Sequence, residues 1–192
     1  VLMFPPHVAE TGDLPLLLPQ FARPGEERTV MRDLPFVHRL RQPDKPDGQT
    51  MLLLHGTGGN EADLMPLAHR IAPHATLLGL RGRSTEEGVA RFFRRTSMTS
   101  FDQDDIRAEA GAFAAFWQGA VAAYGLEPAR ITVMGYSNGA NFAAAVMGLH
   151  PGLIRRAILM RPMAVLEDLP APDLSGLSVL TLTDRKSTRL NS

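Results

Sequence analysis

The feature that most constrains this chain is a repeated alternation. Short continuous apolar runs are separated by longer segments whose apolar residues recur at helical spacing. Met51 to Leu54 reads as a buried parallel strand, and Ala75 to Leu80, Ile131 to Met134, Ala157 to Met160 and Ser178 to Thr183 read as further strands. Phe36 to Leu40 alternates like a strand with one wet face. Strands separated by helices need crossovers, which lay them parallel and put helices on both faces of the sheet. The reading is a single α/β domain.

The helical segments fit between these strands. Leu64, Leu67, Ala68 and Ile71 form one stripe, with Asn60 or Asp63 as cap and Pro66 in the first turn. From Asp104 to Tyr124 a wide apolar face carries Phe113, Phe116, Trp117, Ala120, Val121 and Tyr124. Asn138 to Leu149 forms a third helix, with Phe142, Ala145, Val146 and Leu149 turned inward. Residues 81–102 are polar and arginine-rich and read as a loop. Arg81, Arg83, Arg91, Arg94 and Arg95 could favour an anionic substrate group, but a solvated basic loop is the simpler reading.

The bulk of the chain excludes several functions. Twenty basic side chains balance twenty acidic ones, so nothing favours nucleic acid or an anionic membrane as partner. The absence of cysteine removes disulfides, thiolate metal sites and a cysteine nucleophile. No apolar stretch approaches the ~18 residues of a membrane span. Leu14 to Leu18 is too short for a signal-peptide core and has no basic segment before it. A cytoplasmic protein acting on a small molecule, with no cofactor and no metal, is the expectation.

Gly135-Tyr136-Ser137-Asn138-Gly139 lies between the Ile131–Met134 run and the Asn138–Leu149 helix. A Gly-x-Ser-x-Gly pentapeptide at a strand-to-helix turn presents its serine on a strained elbow, with glycines where larger side chains would collide with backbone. Ser137 is therefore the candidate nucleophile. The competing reading is a glycine-flanked serine that merely caps a helix. His55-Gly56-Thr57-Gly58-Gly59-Asn60 follows the Met51–Leu54 run directly. Its glycines let backbone N–H groups turn into a cleft, so Thr57 and Asn138 are the candidate oxyanion donors. As a dinucleotide fingerprint this loop fails, because Glu61 stands where the third glycine belongs, and it lacks the Gly-Lys-Ser/Thr end of a P-loop. His55 reads as a brace within the loop, since the base of such a site normally follows its nucleophile in the chain.

In this order the motifs resemble the small carboxylesterase/phospholipase family of α/β-hydrolases, the group that includes acyl-protein thioesterases. Residues 52–61 resemble its oxyanion loop. Arg81-Gly82-Arg83 with residues 91–95 resembles the loop after its next strand. Phe101-Asp102 and the long helix resemble its segment before the nucleophile, and Gly135 to Gly139 with Ala140-Asn141 its elbow. The resemblance spans about residues 35–183. It implies an α/β-hydrolase fold and hydrolysis of carboxylic esters or thioesters by a Ser-Asp-His triad, without metal or cofactor. It also implies Thr57 and Asn138 as oxyanion donors, with Gly56, Gly58, Gly135 and Gly139 as structural glycines.

The chain departs from that pattern at its ends. Residues 1–34 read as an irregular N-terminal extension that need not be native. The start at Val1 points to a fragment or an upstream read-through, for which Met31 would be the natural start. The hydrolase domain occupies 35–183 and is expected to be incomplete. Residues 184–192, Asp-Arg-Lys-Ser-Thr-Arg-Leu-Asn-Ser, resemble a foreign tail. The family's acid and histidine would fall beyond the Ser178–Thr183 strand, so both triad partners are absent or unknown here. Asp184, Glu167 and Asp168 read as surface charges. His150 ends the nucleophile helix ~18 Å from Ser137 at 1.5 Å per residue, and His7, His38, His69 and His74 lie away from the expected site. Truncation should also leave the 178–183 strand as an apolar edge. Three classes of function follow: a serine esterase nearly inactive as this chain stands, a degenerate hydrolase serving as a binding module, or an unrelated α/β protein with coincidental glycine turns.

Overall fold

A computed structural model describes residues 27–30 (backbone only), 34–85, 88–97, 100–169 and 171–183. Among them, seven strands form one sheet: β1 (Glu27–Val30), β2 (His38–Arg41), β3 (Thr50–Leu54), β4 (Thr76–Leu80), β5 (Ile131–Tyr136), β6 (Arg156–Met160) and β7 (Ser178–Leu182). The order across the sheet is β1-β2-β4-β3-β5-β6-β7. From β4 through β7 every pairing is parallel, while β1 and β2 join antiparallel at one edge. β1 lies inside the 1–34 stretch that reads as irregular. Its four residues are too few to show a period among prolines and charges, and their pairing with β2 supplies what local sequence does not.

Among the described residues three α-helices flank the sheet: α1 (Met65–Ile71), α2 (Gln103–Tyr124) and α3 (Asn138–Leu149). Helix α2 starts where Asp102 accepts a hydrogen bond from the Asp105 N–H and stops at Gly125, whose φ of 62° suits glycine. Its Phe113, Phe116 and Trp117 meet Phe142 of α3 and the inner faces of β2 to β6, forming the larger core. Phe142 stands at the centre, stacked on Phe92 at 5.1 Å and edge-on to Phe113 at 5.8 Å. The opposite face carries a smaller core of Met51, Leu53, Ala75, Leu77 and Met134 under α1.

Helix α1 differs from its expected form. It begins at Met65 with no side-chain cap, because the Asn60 carboxamide is used two residues on, accepting from the Ala62 N–H. Met65 and Ala68 are the buried pair, while Leu67 and Ile71 face solvent. The later start rotates the buried stripe relative to the one read from Leu64. Among its described residues the 81–102 segment holds only isolated bridges, Ser84 to Arg91 and Arg95 to Phe101.

Strand β7 pairs with β6, and all five of its residues are exposed. Val179, Leu180 and Leu182 thus present an apolar edge to solvent. Among the described residues no helix is long and apolar enough to cross a membrane, and no group of three or more potential ligands could hold a metal ion.

Because Phe142 ties α3 to both aromatic segments, Phe142→Ala should lower stability by about 3–5 kcal/mol, measured by denaturant unfolding. A loss below about 1 kcal/mol would show that this aromatic cluster is not the centre of the core.

Candidate active site

Parallel pairing sets the site. Leu54 of β3 is in register with Gly135 of β5 and Leu80 of β4, and Tyr136 is in register with Met160 of β6. The segments that leave these strands at residues 55, 81, 137 and 161 therefore emerge side by side. The chain runs from β3 to β4 on one side and later places β5 on the other. β3 is thus a switch point, where α/β sheets open a crevice at the carboxyl ends of their strands.

Ser137 sits in that crevice, partly exposed, with φ 49° and ψ −111°. Such a conformation costs a non-glycine residue roughly 1–3 kcal/mol. Two backbone bonds hold it: the Ser137 N–H donates to the Met160 carbonyl at 2.9 Å, and its own carbonyl accepts from the Asn141 N–H at 2.9 Å. Its side chain makes no capping hydrogen bond to α3, which removes the plain helix-cap reading. The turn leaves no room for side chains at either glycine. A Cβ at Gly139 would strike the Leu54 carbonyl, and one at Gly135 would stand 2.7 Å from the Ala140 nitrogen.

The 55–60 loop meets this turn directly, since a Cβ at Gly56 would fall 2.8 Å from the Tyr136 ring. Gly58 has φ 77°, and its N–H donates to the Ala90 carbonyl at 2.9 Å. Among the described residues the exposed Thr57 N–H has no hydrogen-bond acceptor. Asn138 is the first residue of α3, a position whose N–H no helix carbonyl accepts. Two unpaired backbone donors thus stand on the two loops that meet around Ser137.

Buried polar contacts fix these loops. The His55 ring is buried against Phe92 at 4.8 Å. Its Nδ1–H donates to the Gly56 carbonyl at 2.6 Å and its Nε2 accepts from the Gly82 N–H at 2.9 Å, so both nitrogens are committed. Burial, outweighing its hydrogen bond to Gly56 and the nearby Asp63 and Glu61, holds the His55 pKa below its usual value. Glu61, almost fully buried, takes a two-pronged bond from Arg81 at 2.6 and 2.8 Å. Burial pushes the Glu61 carboxyl upward, but Arg81 and the residue's own backbone N–H prevail and keep it below the usual range.

Two asparagines escaped sequence reasoning as positioning groups. The Asn138 carboxamide accepts from the Phe92 N–H at 2.8 Å, and that of Asn141 accepts from the Met163 N–H at 2.8 Å. Only their place one residue and one turn after Ser137 could have signalled this. The arginines of the 81–102 segment are largely solvated, as read, but the loop is not merely basic, because its exposed arginines are paired. Arg81 binds Glu61, Arg83 binds Glu109, Arg94 binds Asp102 and Asp105, and Arg91 is buried.

The histidines fall where the helices put them. His150 caps α3 at its far end, His69 accepts from Arg41 at the surface, and buried His38 is bonded to the Phe36 carbonyl and the Tyr124 hydroxyl. Among the described residues none is hydrogen-bonded to Ser137. Glu167 and Asp168 are exposed loop residues, whereas Asp184, the 184–192 tail and His7 lie outside the described residues.

Comparison with known proteins agrees with this geometry. No family profile matches the chain. It is 41% identical over 129 residues, 67% of its length, to the Bacillus subtilis (strain 168) protein named "Putative hydrolase MhqD", and it spans only 64% of that relative. A carboxylesterase from Mesorhizobium loti superposes with a TM-score of 0.77 at 46% identity, covering 81% of this chain and 74% of that one. The Bacillus cereus carboxylesterase superposes with a TM-score of 0.72 at 35% identity, covering 76% and 69%. Likenesses of this strength remove the reading of an unrelated α/β protein.

The buried His55 gives a pH signature. Its folded-state pKa lies below the unfolded value of about 6.5, so its contribution to stability is complete above that pH and is lost as the pH falls toward the folded-state pKa. Melting temperatures measured between pH 8 and 5 should fall on acidification below about 6.5. The slope should be shallower in His55→Gln, and parallel curves would show that the buried ring does not titrate in this range.

Proposed function

The chain belongs to the carboxylesterase-type α/β-hydrolases, and on that premise we propose that it serves a serine hydrolase that cleaves carboxylic esters or thioesters. The observation that carries this reading is the strained Ser137, whose hydroxyl the helix does not use, set between two loops with unpaired backbone donors. The Ser137 Oγ attacks the ester carbonyl, and the carbonyl oxygen gains charge as the tetrahedral intermediate forms. The Thr57 and Asn138 N–H groups stabilise that oxyanion, each worth about 3–4 kcal/mol in comparable sites. Collapse breaks the bond to the leaving group, which departs as the alcohol or thiol carrying the proton given up by the serine hydroxyl. Water then hydrolyses the acyl-enzyme left on Ser137 to the acid and free serine.

His55 acts as a brace and not as the base, because one ring nitrogen is spent on Gly56 and the other on Gly82. Among the described residues no histidine is hydrogen-bonded to Ser137, so none of them stands ready to take its proton. Such a site keeps only the ~10³–10⁴-fold acceleration over water that oxyanion donors and binding supply. The lack of a paired base among the described residues favours a second reading, a hydrolase-fold binding module that holds esters without turning them over. The substrate is a small molecule, no cofactor is required, and the location is cytoplasmic.

A fluorophosphonate probe applied to the purified protein decides between these readings. Labelling that disappears in Ser137→Ala, together with turnover of 4-nitrophenyl acetate, is the expected result. Labelling without turnover would favour the binding module. A folded protein that takes no label would remove Ser137 as nucleophile.

A further inference from the structure

Beside the nucleophile turn, α3 and the segment that leaves β6 enclose a cavity of about 200 Å³. It starts at Asn141, whose N–H donates to the Ser137 carbonyl at 2.9 Å, and runs past Ala144 and Ala145 on the next turn of the helix. At 1.5 Å per residue those two alanines stand about 10–12 Å along α3 from Ser137. Val165, Leu166 and Leu169 form the opposite wall. The end away from Ser137 narrows where the two leucines lie on Gly148. A Cβ there would stand 2.5 Å from Leu169 Cδ2 and 3.7 Å from Leu166 Cδ1.

Two carboxamides fasten that wall. Asn141 Oδ1 accepts from the Met163 N–H at 2.8 Å, Gln103 Nε2 donates to the Val165 carbonyl at 3.0 Å, and Gln103 Oε1 accepts from the Glu167 N–H at 2.9 Å. The 163–167 segment is thereby held at a fixed distance from α3, and the cavity is preformed as small-molecule sites usually are. Among the described residues no charged side chain lines it, and its polar lining residue, Asn141, stands at the end nearest Ser137. Alanine at 144 and 145 leaves the space that a larger side chain on that face of α3 would take. An apolar cavity of about 150 Å³ holds a benzene ring, so this one has room for a chain of about six carbons.

We propose that this cavity receives the apolar chain of the ester, and that Ala144, Leu166 and Leu169 set the length it accepts, up to about six carbons. This rests on Ser137 as the nucleophile of the same site. The subsite adds no chemistry to ester cleavage. It takes apolar surface out of water, so each buried methylene should raise kcat/KM by about fourfold until the cavity is full.

The test uses the purified protein and two series of esters. 4-Nitrophenyl acetate, hexanoate and decanoate lengthen the acyl side. S-ethyl, S-hexyl and S-decyl thioacetate lengthen the leaving group, and the series that responds shows which side of the ester enters. In that series kcat/KM should climb to the six-carbon member and level off or fall at the ten-carbon one. Ala144→Leu should lower the ratio of the six-carbon to the two-carbon member at least tenfold, and Leu169→Ala should raise the ten-carbon member relative to the six-carbon one. Flat profiles in wild type, or profiles unchanged in both folded variants, overturn the proposal. If Ala144→Leu does not fold, Leu169→Ala decides alone. If neither series is hydrolysed, turnover at Ser137 fails by itself. Calorimetric titration with hexanamide and with N-hexylacetamide then decides the cavity separately: binding of either one weakened at least tenfold in Ala144→Leu supports it, and equal binding or none in wild type overturns it.

Discussion

Everything at the site depends on how closely α3 approaches the end of β3. A Cβ at Gly139 would collide with the Leu54 carbonyl, and Gly135 leaves no space against Ala140. Only glycine allows the helix to start this near two strand ends, and that nearness brings the Ser137 turn beside the 55–60 loop. Adding even one methyl would force the backbone apart, at a cost of about 1–3 kcal/mol typical of overpacking. A separation of a fraction of an ångström would also dislocate the two unpaired N–H donors, whose use depends on their distance to one oxygen. Stability and chemistry are coupled through the same contact.

The loops around that contact are tied by buried polar groups, which carries a risk. Glu61 is nearly inaccessible, and a buried carboxylate is costly unless it is paired and hydrogen-bonded. The two-pronged Arg81 bond meets that requirement, and it links the residue after the glycine loop to the first residue after β4. His55 repeats the linkage one step away, from Gly56 to Gly82. Asn138 and Asn141 anchor the segments at Phe92 and Met163 in the same way. Each such group reaches a different strand's outgoing segment, Glu61 through the Arg81 side chain and the other three through backbone N–H groups. The crevice is therefore held by cross-links between neighbouring loops more than by the conformational preference of any one loop.

That difference explains what could be read from the sequence. The buried strands β3 to β6 and helices α2 and α3 declare themselves locally, since continuous apolar runs and the Phe113-Phe116-Trp117-Ala120 stripe each fix one element without outside help. The Gly-x-Ser-x-Gly elbow and the glycine loop carry their own backbone requirement and were legible for the same reason. Helix α1 was misread at its start because Asn60 had a closer use for its carboxamide than capping. β1 and the pairing of the loop arginines stayed hidden, because a four-residue edge strand and an ion pair 20 or 26 residues apart in sequence leave no periodic trace. The asparagine cross-links escaped notice for the same reason, spanning 46 and 22 residues.

Backbone strain ties the nucleophile to the exposed edge of the sheet. Ser137 keeps its unfavourable φ partly through the Met160 carbonyl, and the next residue, Arg161, keeps its own through the Leu182 carbonyl of β7. The two bonds run from strand to strand in one direction: β5 rests on β6, and β6 rests on β7. A strained residue persists only where its surroundings over-determine it, and here the last support is a strand exposed at all five positions. Whatever loosens β7 from β6 frees Arg161 first and then weakens the hold on Met160. An element with no chemistry of its own thus sets how firmly the elbow is held.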